Sequence, residues 1–209
     1  MKPTHKTSGG MIIACGFWLA VVGGSTALMV RYSNTPGNAT LAPTSWPTGS
    51  QIPLDARRLT LIMFVHPHCP CTQASLSELE RLLAQVPDKL NTYVIVLKPA
   101  GTTSDWEKGD LWRRASAIPG VTVFTDDAGV EAHRFHAETS GQSLLYSSAG
   151  TLLFQGGITI ARGHEGDNPG RTAVQDLVLE GHSDKTKTPI FGCGLFEAQC
   201  QKGDVVCKP

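Results

Sequence analysis

Cys69 and Cys71, separated by Pro70 and preceded by His66, Pro67 and His68, bring nucleophilic and metal-ligating side chains into one short stretch. Two chemistries suit this set. A thiolate attacks a disulfide sulfur and a second thiol within reach releases the product, so Cys69 and Cys71 can run thiol–disulfide exchange. Two imidazoles and two thiolates also suit a soft metal ion such as copper, with His66, His68, Cys69 and Cys71 as ligands. In an extended segment the two histidines face one side and the two cysteines the other, so a metal cage needs a bend at Pro67 or Pro70. A disulfide across a single residue is tight, because the two Cα atoms must keep an ordinary separation while Pro70 fixes its own φ. Such a bond is expected to be strained and easily reduced.

The elements on either side must position these groups. Residues 59–65, LTLIMFV, are too short to span a membrane and rich in branched apolar side chains, which predicts a buried, parallel strand. Leu76, Leu79, Leu82, Leu83 and Val86 then fall at helical spacing, and Pro87 ends the run. Ser75 and Glu78 can form a capping box, and Thr72 can cap one turn earlier. Either start leaves both cysteines at or just before a helix N-terminus, where unpaired amides and the helix dipole favour a thiolate.

Further along, Thr92–Leu97 reads as a second buried strand reached by a right-handed crossover. Pro99 and Gly101 open a loop. A helix over 105–118 presents Trp106, Trp112 and Ile118, and Pro119-Gly120 stops it. A strand at 121–124, a brief helix at 128–137, a hairpin of 144–146 and 152–154, and a helix after Pro169 complete the order.

The approach Phe64-Val65-His66-Pro67-His68-Cys69 and the strand–cysteine–helix order resemble the active site of the thioredoxin superfamily. The resemblance covers roughly residues 51–181. It implies an α/β fold, a thioredoxin-like three-layer α/β/α sandwich with a central mixed sheet. It also implies Cys69 as the nucleophile and Cys71 as the resolving cysteine. Copper-delivery proteins of cytochrome oxidase assembly share that fold, so the fold leaves both chemistries open. The chain departs from the family in two places. Its cysteines are spaced Cys-x-Cys instead of Cys-x-x-Cys, and residues 138–142 have no proline where the family has a cis-proline. Gly141 permits an unusual backbone there.

A hairpin returns the chain to its start, so residues 156–168 are expected beside residues 140–142 and Cys69. Arg162 is a candidate to stabilise a thiolate or an anionic substrate. His164 and Glu165 are candidates to move protons or bind metal. The alternative is a capped surface loop in which Asp167 or Asn168 starts the last helix and Arg162 pairs with Glu165. Beyond that helix, Ile190 and Phe191 suggest docking of the tail, which would let Cys193 resolve a mixed disulfide with Cys69 or complete a metal site. A structural Cys200–Cys207 bridge is the alternative use of the tail cysteines. The Cys-Pro-Cys motif with His66 and His68, the loop Arg162–Asn168 and the segment Thr188–Cys193 together resemble the RedB group of membrane-anchored thioredoxin-like proteins.

Composition sets the outer limits. The chain has 209 residues, 41% of them hydrophobic, enough for one core with appendages. Its 18 basic and 18 acidic residues balance without a basic stripe, so no nucleic-acid partner is expected. Met11–Val30 carries no charge and is long enough to cross a bilayer as a transmembrane helix. Lys2 and Lys6 predict a cytoplasmic N-terminus at 1–10; a cleaved signal peptide is the alternative. Residues 31–50, rich in Asn, Thr, Pro, Gly and Ser, read as a flexible linker to a domain at 51–181, followed by a cysteine-containing extension at 182–209. Cys15 lies in the apolar segment, and the other five cysteines leave one without an internal partner. These readings point to an oxidoreductase tethered by residues 11–30 to the cytoplasmic (inner) membrane. Its C-terminal domain would lie in the periplasm or outside the cell and act on a protein thiol or disulfide, with no required cofactor. Copper delivery and a non-catalytic assembly module are the alternatives.

Overall fold

The computed structural model describes residues 9–196. The expectations for the extreme N-terminus and for a Cys200–Cys207 bridge lie outside the described residues. The elements are α1 (Gly9–Ser33), β1 (Leu59–Val65), α2 (Thr72–Gln85), β2 (Leu90–Lys98), α3 (Asp110–Ala117), β3 (Val121–Asp127), α4 (Val130–Arg134), β4 (Gln142–Tyr146), β5 (Leu152–Gly156) and α5 (Pro169–Leu179).

One five-stranded sheet runs in the order β3-β2-β1-β4-β5. β1 pairs in parallel with β2 and antiparallel with β4, which makes the sheet mixed and places β1 at its centre. The mixed sheet, with helices packed on it, is the α/β arrangement expected from the sequence. The apolar run of β1, interrupted only by the buried Thr60, follows from burial on both faces. Leu61, Met63 and Val65 pack with Leu76, Leu79 and Leu82 of α2, Leu111 and Ala115 of α3, and Ala173, Val174 and Leu177 of α5. Ile62 and Phe64 point the other way, onto Ala132, Phe135, Ile52 and Leu195. Each such large apolar side chain withdrawn from water stabilises the fold by about 1.5–3 kcal/mol.

The second face is where the sequence reading needs correction. α4 has only five residues, shorter than the expected 128–137, and cannot cover the sheet by itself. Residues 34–50, expected as a flexible linker, complete the layer instead. Ala42 is buried, its amide donates to Gln155 Oε1 at 2.9 Å, and the Tyr146 hydroxyl donates to Pro43 O at 2.8 Å. Trp46 stands edge-on to both Phe135 and Tyr146, with ring centroids 5.1 Å away in each case. Aromatic pairs of this geometry contribute about 0.5–1.5 kcal/mol each beyond their burial. A polar, proline-rich composition describes a coil well enough, but a coil with an anchoring tryptophan need not be free.

Smaller differences are local. α1 continues past Val30 to Ser33. It is long and apolar enough to cross a membrane, with a mean hydropathy of 1.9 and no part of that window buried. α3 begins at Asp110 and not at 105, because the stretch before it turns around Glu107, whose buried carboxylate accepts from Thr125 Oγ1. α2 begins at Thr72, with Cys71 as its N-cap and no side-chain cap, so neither expected capping arrangement is present. Glu78 is drawn inward instead.

Candidate functional site

β1 ends at Val65 and the chain folds back at once: Cys69 N–H donates to His66 O at 3.1 Å, and Thr72 N–H to Cys69 O at 3.1 Å. This tight turn delivers Cys69 to the N-terminal end of α2, three residues before its first helical position, Thr72. Cys69 is buried, at 1% exposure, whereas Cys71 is half-buried.

Across β1 lies the start of β4. Ser140 Oγ accepts from His66 N–H at 2.8 Å and shares a hydrogen bond of 2.7 Å with Thr72 Oγ1. Gly141 takes φ +90°, a conformation that disfavours any side chain, and its amide donates to Phe64 O at 2.8 Å. A glycine with positive φ thus turns the chain where the related fold uses a cis-proline, and among the described residues there is no cis peptide bond.

The tail brings a third cysteine to this point. Residues after α5 run back along β5, where Gln155 N–H donates to Thr186 O and Thr188 N–H to Gln155 O. They continue over residues 138–140, with Ser140 N–H donating to Cys193 O at 2.8 Å. Cys193 Sγ stands 2.9 Å from Cys69 Sγ, and Cys193 N–H donates to the Cys69 sulfur at 3.4 Å. Hydrogen bonds from the thiols of Cys193 and Cys71 hold the Cys69 thiol far below the usual range, against the opposing effect of burial; Thr72 Oγ1 and the Cys193 amide help. Cys193 is pushed up by the same bond to Cys69, then by Cys71 and by burial. At Cys71 the bond from Cys193 pulls downward, but Cys69 and burial outweigh it and leave the thiol raised. Of the three, Cys69 is the thiol favoured as the thiolate.

Arg162 sits beside this cluster but does not lie on the Cys69 sulfur. Its guanidinium donates to Gly192 O and, through Nε, to Thr35 O at 3.2 Å, and it lies over the Tyr32 ring at 4.9 Å. Its charge lowers Cys71 slightly. His164 is exposed and turned onto Arg162 O. Glu165 pairs with Arg81 at 2.8 Å and accepts from Ser77 Oγ, so the expected Arg162–Glu165 pair is absent. Asn168 caps α5 by accepting from Arg171 N–H at 2.8 Å.

His66 and His68 do not join the sulfurs. Both rings pack edge-on against Trp106, at 5.6 and 4.5 Å, and His66 Nδ1 accepts from His68 N–H. Burial lowers the His66 pKa. Among the described residues no group of three or more His, Cys, Asp and Glu side chains is arranged to hold a metal ion. The turn at Pro67 and Pro70 therefore does not gather His66, His68, Cys69 and Cys71 into a four-ligand copper cage.

Ser140, Trp106 and Glu78 take roles here that the sequence did not assign them: Ser140 bonds His66 and Thr72, Trp106 receives the two imidazoles, and Glu78 is no capping-box residue. Glu78, wholly buried, accepts from Gly166 N–H at 2.8 Å and Asn168 Nδ2 at 3.2 Å and pairs with Arg81 and Arg171. It fastens the Arg162–Asn168 loop to α2. An acidic residue on the apolar face of a predicted helix was the available signal.

No protein-family model and no curated protein matches the chain. Its fold is similar to that of an uncharacterized conserved protein from Geobacillus kaustophilus, at 20% identity over 78% of this chain and 93% of that one, with a TM-score of 0.57. It is also similar to a hypothetical protein from Sinorhizobium meliloti 1021, at 18% identity, 77% and 97% coverage, and a TM-score of 0.60. A weaker likeness, with a TM-score of 0.46 and 14% identity over 67% of this chain and 99% of the other, is to an exposed lipoprotein thioredoxin from Streptococcus pneumoniae strain TIGR4. At these identities the shared feature is the fold.

Proposed function

We propose that the chain is a membrane-tethered thiol–disulfide oxidoreductase with Cys69 as its nucleophile and Cys193 as its resolving cysteine. The observation that carries this reading is the 2.9 Å approach of the two sulfurs at the start of α2. α1 supplies the tether, with the domain on the non-cytoplasmic side. The RedB resemblance fits the same proposal, because its three motifs, around Cys69, Arg162 and Cys193, come together in one place.

In one direction the Cys69 thiolate attacks a sulfur of a protein disulfide. The Cys69–substrate bond forms, the substrate disulfide breaks, and its other sulfur leaves as a thiolate. Cys69 has then lost its negative charge, which removes the main influence holding Cys193 protonated. Cys193 gives up its proton and attacks the Cys69 sulfur, forming Cys69–Cys193 and releasing the second substrate thiolate, which takes up a proton. The substrate gains two electrons and the cysteine pair loses two; a dithiol protein partner restores the pair. The reverse sequence oxidises a dithiol. Resolution by Cys193 avoids the strained bond to Cys71, whose thiol instead supports the Cys69 thiolate.

The test is a redox titration of the full-length protein in detergent against a dithiol–disulfide buffer, with thiols trapped by alkylation and assigned by mass spectrometry. A reversible two-electron couple joining Cys69 to Cys193, lost in Cys69→Ser, is expected. Absence of any disulfide containing Cys69 would overturn the proposal.

A further inference from the structure

The extended tail segment that carries Cys193, called the tail strand below, also closes the site. Between Pro189 and Leu195 it is fixed on both edges. On one, Ser140 N–H donates to Cys193 O, Leu195 N–H donates to Glu138 O at 2.8 Å, and Thr139 bridges antiparallel to Gly194. On the other, Gly37 N–H donates to Ile190 O at 2.8 Å and Arg162 to Gly192 O. Ile190 and Leu195 are each 3% exposed. The sulfur of Cys69 lies beneath, too buried for a disulfide of another protein to meet it.

A nucleophile must touch the sulfur it attacks, so this strand has to leave before an external disulfide can react. Its departure uncovers Cys69 together with the Ser140 amide and the Glu138 carbonyl, an edge able to pair with one extended backbone. We infer that residues 190–195 are a displaceable internal occupant of the substrate groove, and that the substrate is an extended, cysteine-bearing segment of another protein with glycine just before its cysteine. The inference rests on Cys69 being the nucleophile. The glycine preference follows from Gly192: a Cβ at that position would stand 1.9 Å from Ser140 O, a backbone atom that cannot yield cheaply. After the mixed disulfide forms, the returning strand competes for the same edge. Resolution by Cys193 and expulsion of the product chain then become one motion.

Gly192→Ala in the full-length, detergent-solubilised, reduced protein tests this, since the added methyl prevents the strand from seating. Cys69 alkylation, followed by quenched mass spectrometry, is expected to speed up by about tenfold or more as the closed population falls. Mixed-disulfide formation with the peptide Ile-Phe-Gly-Cys-Gly-Leu, its cysteine activated by an aromatic thiol, should accelerate likewise, and a peptide with valine before the cysteine should react more slowly. Leu195→Ala loosens the same strand without a clash and gives the same readouts if Gly192→Ala does not fold. Equal labelling and peptide rates in wild type and a folded variant would overturn the inference while leaving the nucleophile in place. Faster labelling with no mixed disulfide in any variant would instead remove the oxidoreductase reading and, with it, the substrate assignment.

Discussion

The backbone amide of Cys193 donates to the sulfur of Cys69 at 3.4 Å, so a single tail residue supplies the site with a main-chain donor as well as a thiol. The thiol is the largest influence lowering the Cys69 pKa, and with the Cys71 thiol, Thr72 Oγ1 and this amide it outweighs desolvation. The low pKa of Cys69 therefore depends on the closed tail as well as on Cys71 and Thr72 at the start of α2.

That dependence gives a pH profile. An ordinary thiol loses reactivity by about a hundredfold between roughly pH 8 and pH 6, as its thiolate is protonated. Cys69 in the wild-type chain should show a flat alkylation rate over that interval, because its folded pKa lies well below it. In Cys193→Ala the absolute rate is expected to rise through exposure, but the slope of an ordinary thiol should return. A wild-type profile parallel to that of a free thiol would contradict the assignment.

Glu78 has no exposure and holds two arginines and two donors of the 162–168 loop. Glu78→Ala would leave Arg171, itself only 11% exposed, without its buried counter-charge. Removal of one partner from such a pair costs about 3–5 kcal/mol. Denaturant titration monitored by circular dichroism should show a loss of this size; a loss under about 1 kcal/mol, typical of an exposed pair, would show that the network is not needed.

His66 is half-buried against Trp106, and desolvation depresses its pKa. A group lowered in the folded state contributes stability above its unfolded value of about 6.5, and that contribution is lost as pH falls through the folded value. Acidification below about pH 6.5 should accordingly loosen the His66–Trp106–His68 cluster before the domain unfolds. The fluorescence difference between wild type and Trp106→Phe should titrate in that range and vanish in His66→Phe. A difference signal that stays constant down to global unfolding would refute the coupling.

Trp46 fastens residues 34–50 to the sheet through Phe135 and Tyr146. Trp46→Ala is expected to cost about 2–3 kcal/mol, somewhat less than truncation of a fully buried tryptophan. A non-specific protease should then cut within 34–50 under conditions where the wild type resists. Rapid native cleavage of the wild type there would restore the picture of a free tether.

Much of this molecule is legible in one dimension because its determinants are local. The run at 59–65 is apolar at every position but Thr60, the pattern of a strand buried on both faces, and the leucines from 76 to 82 repeat with the helical period. Length and lack of charge alone identify the apolar α1 as a candidate span. Cys69 and Cys71 announce themselves by residue type and by their place between these two patterns.

What tertiary structure decided is which distant groups share a surface. Cys193 lies 124 residues from Cys69, and no periodicity reports that a tail will pair with residues 138–140. The imidazoles of His66 and His68 are adjacent in sequence to the thiols, yet Trp106, carried in by the loop before α3, offers them an aromatic face on the other side. Residues 34–50 have the composition of a tether because polar and proline-rich coil is what an irregular covering layer also needs. Sequence patterns record burial against the nearest element; partners across the fold are chosen by the sheet order, which brings the end of β1, the start of β4 and the tail together at one end of the sheet.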